Sequence, residues 1–167
     1  MSQTNSGLTK DGIGMIHDHF KALKNNKPGP LTALVVDDSL DIVELFCEFL
    51  EMQGIHVIGK GYDGKDAVAE YEKLHPDVVF LDIMMPEYDG FYALDNIRRI
   101  NKHAKVMMVT ADLRKETADK LDTYDSIALV YKPFDFDNIM QTLDTLMKSD
   151  SVDSMPFEGG TISYMGK

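Results

Sequence analysis

One cysteine, Cys47, stands among the 167 residues of the chain. A single thiol excludes an internal disulfide and any multi-thiolate metal site within one chain. Basic residues are in the minority: 17 Lys and Arg against 28 Asp and Glu give a formal net charge of -11. A general phosphate-backbone binder is therefore disfavoured, since DNA at such a surface adds repulsion, and no Lys/Arg cluster stands out. Long apolar runs are missing as well. Runs such as Ile127–Tyr131 reach about five residues, far short of the roughly 20 needed to cross a bilayer. The polar start, Met1 to Gly7, has no signal-peptide h-region. A soluble, cytoplasmic protein is expected, with no DNA partner and no membrane insertion. No repeat of roughly 20–50 residues and no low-complexity block is visible. The length suits one domain with its own core.

Residues 1–30 read as an extension. Ile13, Ile16, Phe20 and Leu23 recur at near-helical spacing, which predicts a short amphipathic helix over about Asp11–Lys24. It stops at Asn25-Asn26-Lys27-Pro28-Gly29-Pro30, where donors are lost and the backbone is held extended. The stripe is a candidate surface for docking or homodimer formation, with a loosely ordered extension as the equal alternative. Residues 149–167 are rich in Ser, Gly and Asp, lack a period and read as a flexible tail.

Between them, over residues 31–148, strand and helix patterns alternate five times. Apolar, β-branched runs occur at Ala33–Val36, Val57–Ile58, Val78–Leu81, Val106–Val109 and Ile127–Tyr131. Amphipathic stretches follow at about Ser39–Met52, Gly64–Leu74, Phe91–Ile100, Leu113–Asp122 and Phe136–Met147, with Ser39 as a candidate N-cap. Continuously apolar strands separated by helices predict a parallel sheet covered on both faces. Right-handed crossovers then point to a doubly wound (βα)5 three-layer α/β sandwich.

The polar residues fall at the strand ends. Asp37 and Asp38 follow the first apolar run, Asp82 the third, Thr110 the fourth and Lys132 the fifth. The carboxyl ends of parallel strands share one edge, where ligands bind near the point at which strand order reverses. One such Asp is an ordinary cap or turn residue; five suitable residues at four strand ends are harder to explain that way. Three converging carboxylates repel, and a hard divalent cation relieves the repulsion; all-oxygen ligands suit Mg2+. No histidine lies at a strand end in this pattern. An ionised carboxylate is also a nucleophile able to form an aspartyl-phosphate, with Lys132 and Thr110 as partners for phosphoryl oxygens.

Four motifs then carry a resemblance: Leu34-Val35-Val36-Asp37-Asp38-Ser39, Val79-Phe80-Leu81-Asp82-Ile83-Met84-Met85-Pro86 with Gly90, Val109-Thr110-Ala111, and Tyr131-Lys132-Pro133-Phe134. In this order and spacing, the chain resembles the CheY-like receiver domain of two-component response regulators across about residues 31–148. The resemblance implies a flavodoxin-like five-stranded sheet of order 2-1-3-4-5. It implies Asp82 as phosphoacceptor and Mg2+ as cofactor, held by Asp38 directly, by Asp37 directly or through water, and by Asp82 and the Met84 carbonyl. Thr110 and Lys132 would contact the phosphoryl oxygens, with backbone N–H donors from Met84 and Ala111, and Lys132-Pro133 would be cis. The donor would be a phosphohistidine on a sensor histidine kinase or phosphotransfer protein. The chain would modify itself without turning over an external product, and so is read as a non-enzyme. With only residues 149–167 remaining, a stand-alone regulator acting on a downstream protein target is expected, or a phosphate sink or relay intermediate. In similar receivers an aromatic three residues before the Lys moves with the Thr. Leu129 holds that position here, so Thr110, Leu129 and Tyr131 are the candidate switch residues, with a muted response expected.

Rival readings are weaker. Gly59-Lys60-Gly61-Tyr62-Asp63-Gly64 matches G-x-G-x-x-G, the mark of a nucleotide-binding enzyme, but lies in the second βα unit and would set Asp63 against a pyrophosphate. A haloacid dehalogenase-type phosphatase needs a second Asp two residues after the nucleophile, where Ser39 or Met84 stands. A pseudo-receiver would lack part of the intact Asp38, Asp82, Thr110 and Lys132 set. Met84 could shield an acyl phosphate from water, whereas Asp112 could orient water toward it, so the phosphoryl lifetime stays open. Met107, Met108 and Cys47 read as core residues, and His17, His19, His56, His75 and His103 as surface or loop residues.

Overall fold

The computed structural model describes residues 29–149 and 162–165. The Asp11–Lys24 helix expected from the apolar stripe lies outside the described residues. Five strands alternate with five helices: β1 (Thr32–Val36), α1 (Leu40–Met52), β2 (His56–Gly61), α2 (Gly64–Leu74), β3 (Val78–Asp82), α3 (Gly90–Ile100), β4 (Val106–Thr110), α4 (Lys115–Leu121), β5 (Ile127–Tyr131) and α5 (Phe136–Lys148). These strands form one parallel sheet in the order 2-1-3-4-5.

Alternation along each strand sends side chains to two cores. Ala33 and Val35 of β1 join Phe80, Val109 and Val130 on the face covered by α1 and α5, through Val43, Phe46, Leu50, Ile139 and Leu143. Leu34 and Val36 join Leu81, Met108 and Leu129 on the opposite face, covered through Ala67, Tyr71, Leu94, Ile97 and Leu121. Both faces are buried, which is why the strands read as unbroken apolar runs. Met107 and Met108 are fully buried, one on each face.

Of the tail expected over residues 149–167, only Ser149 and residues 162–165 are among the described residues. Residues Ile162–Met165 form β6, which pairs antiparallel with β5 and extends the sheet beyond the five parallel strands. Four residues are too few to show a period. The strand is defined by the outer edge of β5, a tertiary feature that local patterning does not display.

Asp63, Asp89 and Asp135 cap α2, α3 and α5, accepting the N–H of Asp66, Tyr92 and Asn138 at 2.8, 2.8 and 2.6 Å. Each cap contributes about 1 kcal/mol. Ser39 stands at the N-cap of α1 without a side-chain cap bond. Its own N–H donates to Asp37 Oδ1 at 2.9 Å, so the loop is fixed from the preceding strand end instead.

Candidate functional site

The carboxyl edge of the sheet gathers the residues expected there. Adjacency of β1 and β3 brings Asp37 and Asp38 beside Asp82, and β4 and β5 bring Thr110 and Lys132. Carboxylate oxygens of Asp37, Asp38 and Asp82 lie within 4.8 Å of one another. Asp37 and Asp82 are each only 4% exposed, whereas Asp38 is open to solvent. Lys132 Nζ donates to Asp37 Oδ2 at 2.6 Å and lies 3.5 Å from Asp82 Oδ1. The longer contact is an ion pair rather than a hydrogen bond, and the buried Asp82 Oδ1 has no hydrogen-bond partner. Val35, Ile42, Phe46, Phe80 and Val109 line the cleft beside Asp37 and Asp82.

That environment sets the protonation chemistry. Burial pushes the Asp82 carboxyl above its ordinary range; the Lys132 ammonium opposes this, the Asp37 charge adds to it, and the Met84 N–H opposes it again. The result is an ionisable oxygen that is poorly solvated and underpaired, next to two further carboxylates and one ammonium. Such a group can bind a hard cation or attack an electrophilic centre.

Gly90 permits the loop after Asp82 to close. A Cβ there would lie 2.3 Å from Asp82 O and 2.7 Å from Ile83 Cα, while its N–H donates to Ile83 O at 3.0 Å. Only glycine allows this approach. Within the loop, Met84 is 55% exposed and Met85 is buried. On β4, Thr110 is fully buried and its Oγ1 accepts the Asp112 N–H at 3.1 Å. The Lys132–Pro133 bond is cis.

Residues 33–144 match the response regulator receiver domain family. The chain belongs to that family. It is 29% identical over 143 residues to the chemotaxis protein CheY of Treponema pallidum, covering 84% of this chain and 99% of that one. Against the chemotaxis protein CheY of Listeria monocytogenes it is 30% identical, covering 71% and 99%. Among solved structures it is similar to the CheX–CheY–BeF3–Mg2+ complex from Borrelia burgdorferi, with TM-score 0.65, 28% identity and 71% and 90% coverage. The fold, the two-component signalling class and the CheY-like character of the receiver follow from these matches.

In this receiver the glycine-rich motif serves packing. Gly59 and Gly61 lie inside β2, where a Cβ would meet Leu74 Cδ1 at 2.6 Å and Asp66 Cβ at 3.1 Å. Gly64 donates to Tyr88 O at 2.7 Å, and the Asp63 carboxylate occupies the N-terminus of α2. A pyrophosphate would meet that carboxylate, so the segment is a strand and cap, not a phosphate loop.

Leu129 is buried on the same side of β5 as the half-buried Tyr131, as the strand period requires. Burial pushes the Cys47 thiol up, as for an inert core residue. His56 and His103 are exposed, and His75 ends α2 in the left-handed region at φ 47°. No helix among the described residues is long and apolar enough to cross a membrane.

The receiver also contains a clasp that the sequence reading does not include. Both Asp112 oxygens are held: Oδ1 by Arg114 N–H and Nε at 3.0 and 2.8 Å, Oδ2 by Arg114 NH2 and Thr117 Oγ1, each at 2.6 Å. Arg114 foremost, then Thr117, hold the Asp112 carboxyl far below the usual carboxylate range. The clasp keeps residues 112–114 out of the helix, so α4 starts at Lys115 rather than near Leu113. An Asp three to five residues before a helical stretch, followed by Arg and Thr, is the signal that could have revealed it.

Proposed function

We propose that this receiver accepts a phosphoryl group on Asp82 from the phosphohistidine of a sensor histidine kinase or phosphotransfer protein, with Mg2+ as cofactor. It then signals through contacts with a downstream protein. The observation that carries this reading is Asp82 Oδ1: buried, without a hydrogen-bond partner, 3.5 Å from an ammonium and clustered with two more carboxylates. Such an atom is costly to retain unless a ligand completes it.

The donor set fits Mg2+, being hard, all oxygen and rich in negative charge. Asp37, Asp38, Asp82 and the Met84 carbonyl would hold the ion. When bound, it supplies charge neutralisation for the phosphoryl oxygens. That CheY from Borrelia burgdorferi forms a complex containing BeF3 and Mg2+ supports the same ligand chemistry here.

The remaining work belongs to the chain. An Asp82 oxygen forms the new P–O bond as the donor's P–N bond breaks, and the electron pair departs on the donor imidazole nitrogen. Lys132 exchanges Asp37 for a phosphoryl oxygen. Thr110, whose oxygen accepts from Asp112, retains its hydroxyl proton to donate to another. Backbone N–H groups of Met84 and Ala111 serve the rest, giving preorganised stabilisation of the transferred group. The protein thereby modifies itself and releases no external product, so it acts as a signalling protein of the cytoplasm rather than as an enzyme. The test is intact mass after incubation with acetyl phosphate and Mg2+. One phosphoryl mass is expected, absent with EDTA and absent in Asp82→Asn; unchanged labelling of Asp82→Asn overturns the assignment.

A further inference from the structure

The outer edge of β5 is covered by the chain itself. Ile127, Ala128, Leu129 and Val130 are apolar and almost wholly buried, and a strand of that character with an unpaired edge is a template for another strand. β6 supplies the partner in the register Ile127↔Met165, Ala128↔Tyr164, Leu129↔Ser163 and Val130↔Ile162. Every other pairing in the sheet is parallel. This one arises because a segment beyond α5 returns along β5.

Two features make that cover detachable. It is only four residues long. Its connection to α5 is also long, residues 150–161. The end of α5 lies at the amino edge of the sheet, where Lys105, just before β4, donates to Leu146 O. β6 begins opposite Val130, at the carboxyl edge. Residues 150–161 could extend roughly 40 Å, against about 17 Å for a five-residue strand, so their length does not force the pairing.

The covered edge also borders the acid site. Val130, the partner of Ile162, is two residues from Lys132, and Ser163 faces the Leu129 register position. The segment Ile162-Ser163-Tyr164-Met165 carries no charge and no proline. It therefore models what the edge accepts: an extended, uncharged strand with β-branched or aromatic residues.

We propose that residues 162–165 are a removable guard, and that the β5 edge beneath them docks an extended strand of a partner protein in the same antiparallel register. The guard acts as a tethered competitor whose effective concentration weakens any strand arriving from outside. This inference is independent of phosphorylation and stands whether or not Asp82 is modified.

The experiment compares full-length wild type with full-length Ser163→Pro, in which proline opposes the ladder at its second position. Tyr164→Pro is made beside it, because successive residues of a strand point their N–H groups alternately toward and away from the partner strand, so one of the two prolines removes a ladder bond. The probe is a labelled synthetic peptide with the sequence of residues 160–167, accompanied by deuterium uptake over residues 127–131. The variant that loses the bond should bind the peptide at least about tenfold more tightly than wild type. Its β5 uptake should be faster and should return toward wild type when peptide is added. Equal affinity for wild type and both proline variants, binding to none of them, or β5 uptake unchanged by either proline would overturn the proposal. Concentration-dependent wild-type dimers that the proline abolishes would assign the strand to exchange between copies, and would overturn it too.

Discussion

Lys132 Nζ sits 2.6 Å from Asp37 Oδ2, closer than its 3.5 Å approach to Asp82 Oδ1. The ammonium therefore neutralises a carboxylate assigned to the cation, and must leave it to serve a phosphoryl group. In Lys132→Met, Mg2+ should bind more tightly by about 1 kcal/mol, roughly fivefold, because a competing charge is gone. Phosphorylation by acetyl phosphate should nevertheless slow at least about tenfold, through loss of transition-state stabilisation. Calorimetric Mg2+ titration and timed mass spectrometry read the two effects. Weaker Mg2+ binding in the variant would contradict the competition.

Asp82 makes a second prediction through pH. Its carboxyl is raised in the folded protein, chiefly by burial. Between the unfolded and folded pKa values the native state holds more protons, so stability falls as pH rises through that window. Without metal, Asp82→Asn should melt higher than wild type at neutral pH, and the gap should close below the ordinary carboxylate range. Added Mg2+ should raise the wild type and leave the variant nearly unmoved. Melting curves across pH, with and without Mg2+, check both. A gap that widens in acid would reverse the sign.

The Asp112 clasp bears on the lifetime of the phosphoryl group. With both oxygens committed to Arg114 and Thr117, the carboxylate is not free to orient water. Asp112→Asn should change acyl-phosphate hydrolysis by less than about tenfold, or 1.4 kcal/mol of barrier. Deuterium uptake over residues 111–117 should rise. A larger slowing of hydrolysis, with uptake unchanged, would restore a chemical role to Asp112.

Leu129 fills its site, being 1% exposed within the core packed by Tyr131. A tyrosine there should cost about 1–3 kcal/mol by overpacking. On beryllofluoride addition, wild-type amide shifts should concentrate in the 84–90 and 111–115 loops, with a muted response across α4, β5 and α5. Leu129→Tyr should broaden the response over that face. Equally broad shifts in both proteins would show that an aromatic is dispensable.

The five βα units were legible because strands buried on both faces display unbroken apolar runs, and because Asp, Thr and Lys at their ends cannot belong to those runs. The strand-end constellation named Asp37, Asp38, Asp82, Thr110 and Lys132, which the sheet order brings to one edge. Other features depend on partners distant in sequence. β6 exists through the edge of β5, and Ser39 lost its side-chain cap role to the turn made by Asp37. α4 begins late because side chains of Asp112, Arg114 and Thr117 outcompete its first turn. The glycines of β2 resemble a phosphate loop in spacing alone, since their need is close helix packing.

The most direct measurement of the central claim is chemical localisation of the phosphoryl group. After labelling with acetyl phosphate and Mg2+, borohydride reduces an aspartyl-phosphate to homoserine, which peptide sequencing by mass spectrometry can place. Homoserine is expected at position 82 alone, and none when Mg2+ is withheld. Homoserine at Asp37 or Asp38, or a phosphoryl mass that borohydride leaves intact, would contradict it.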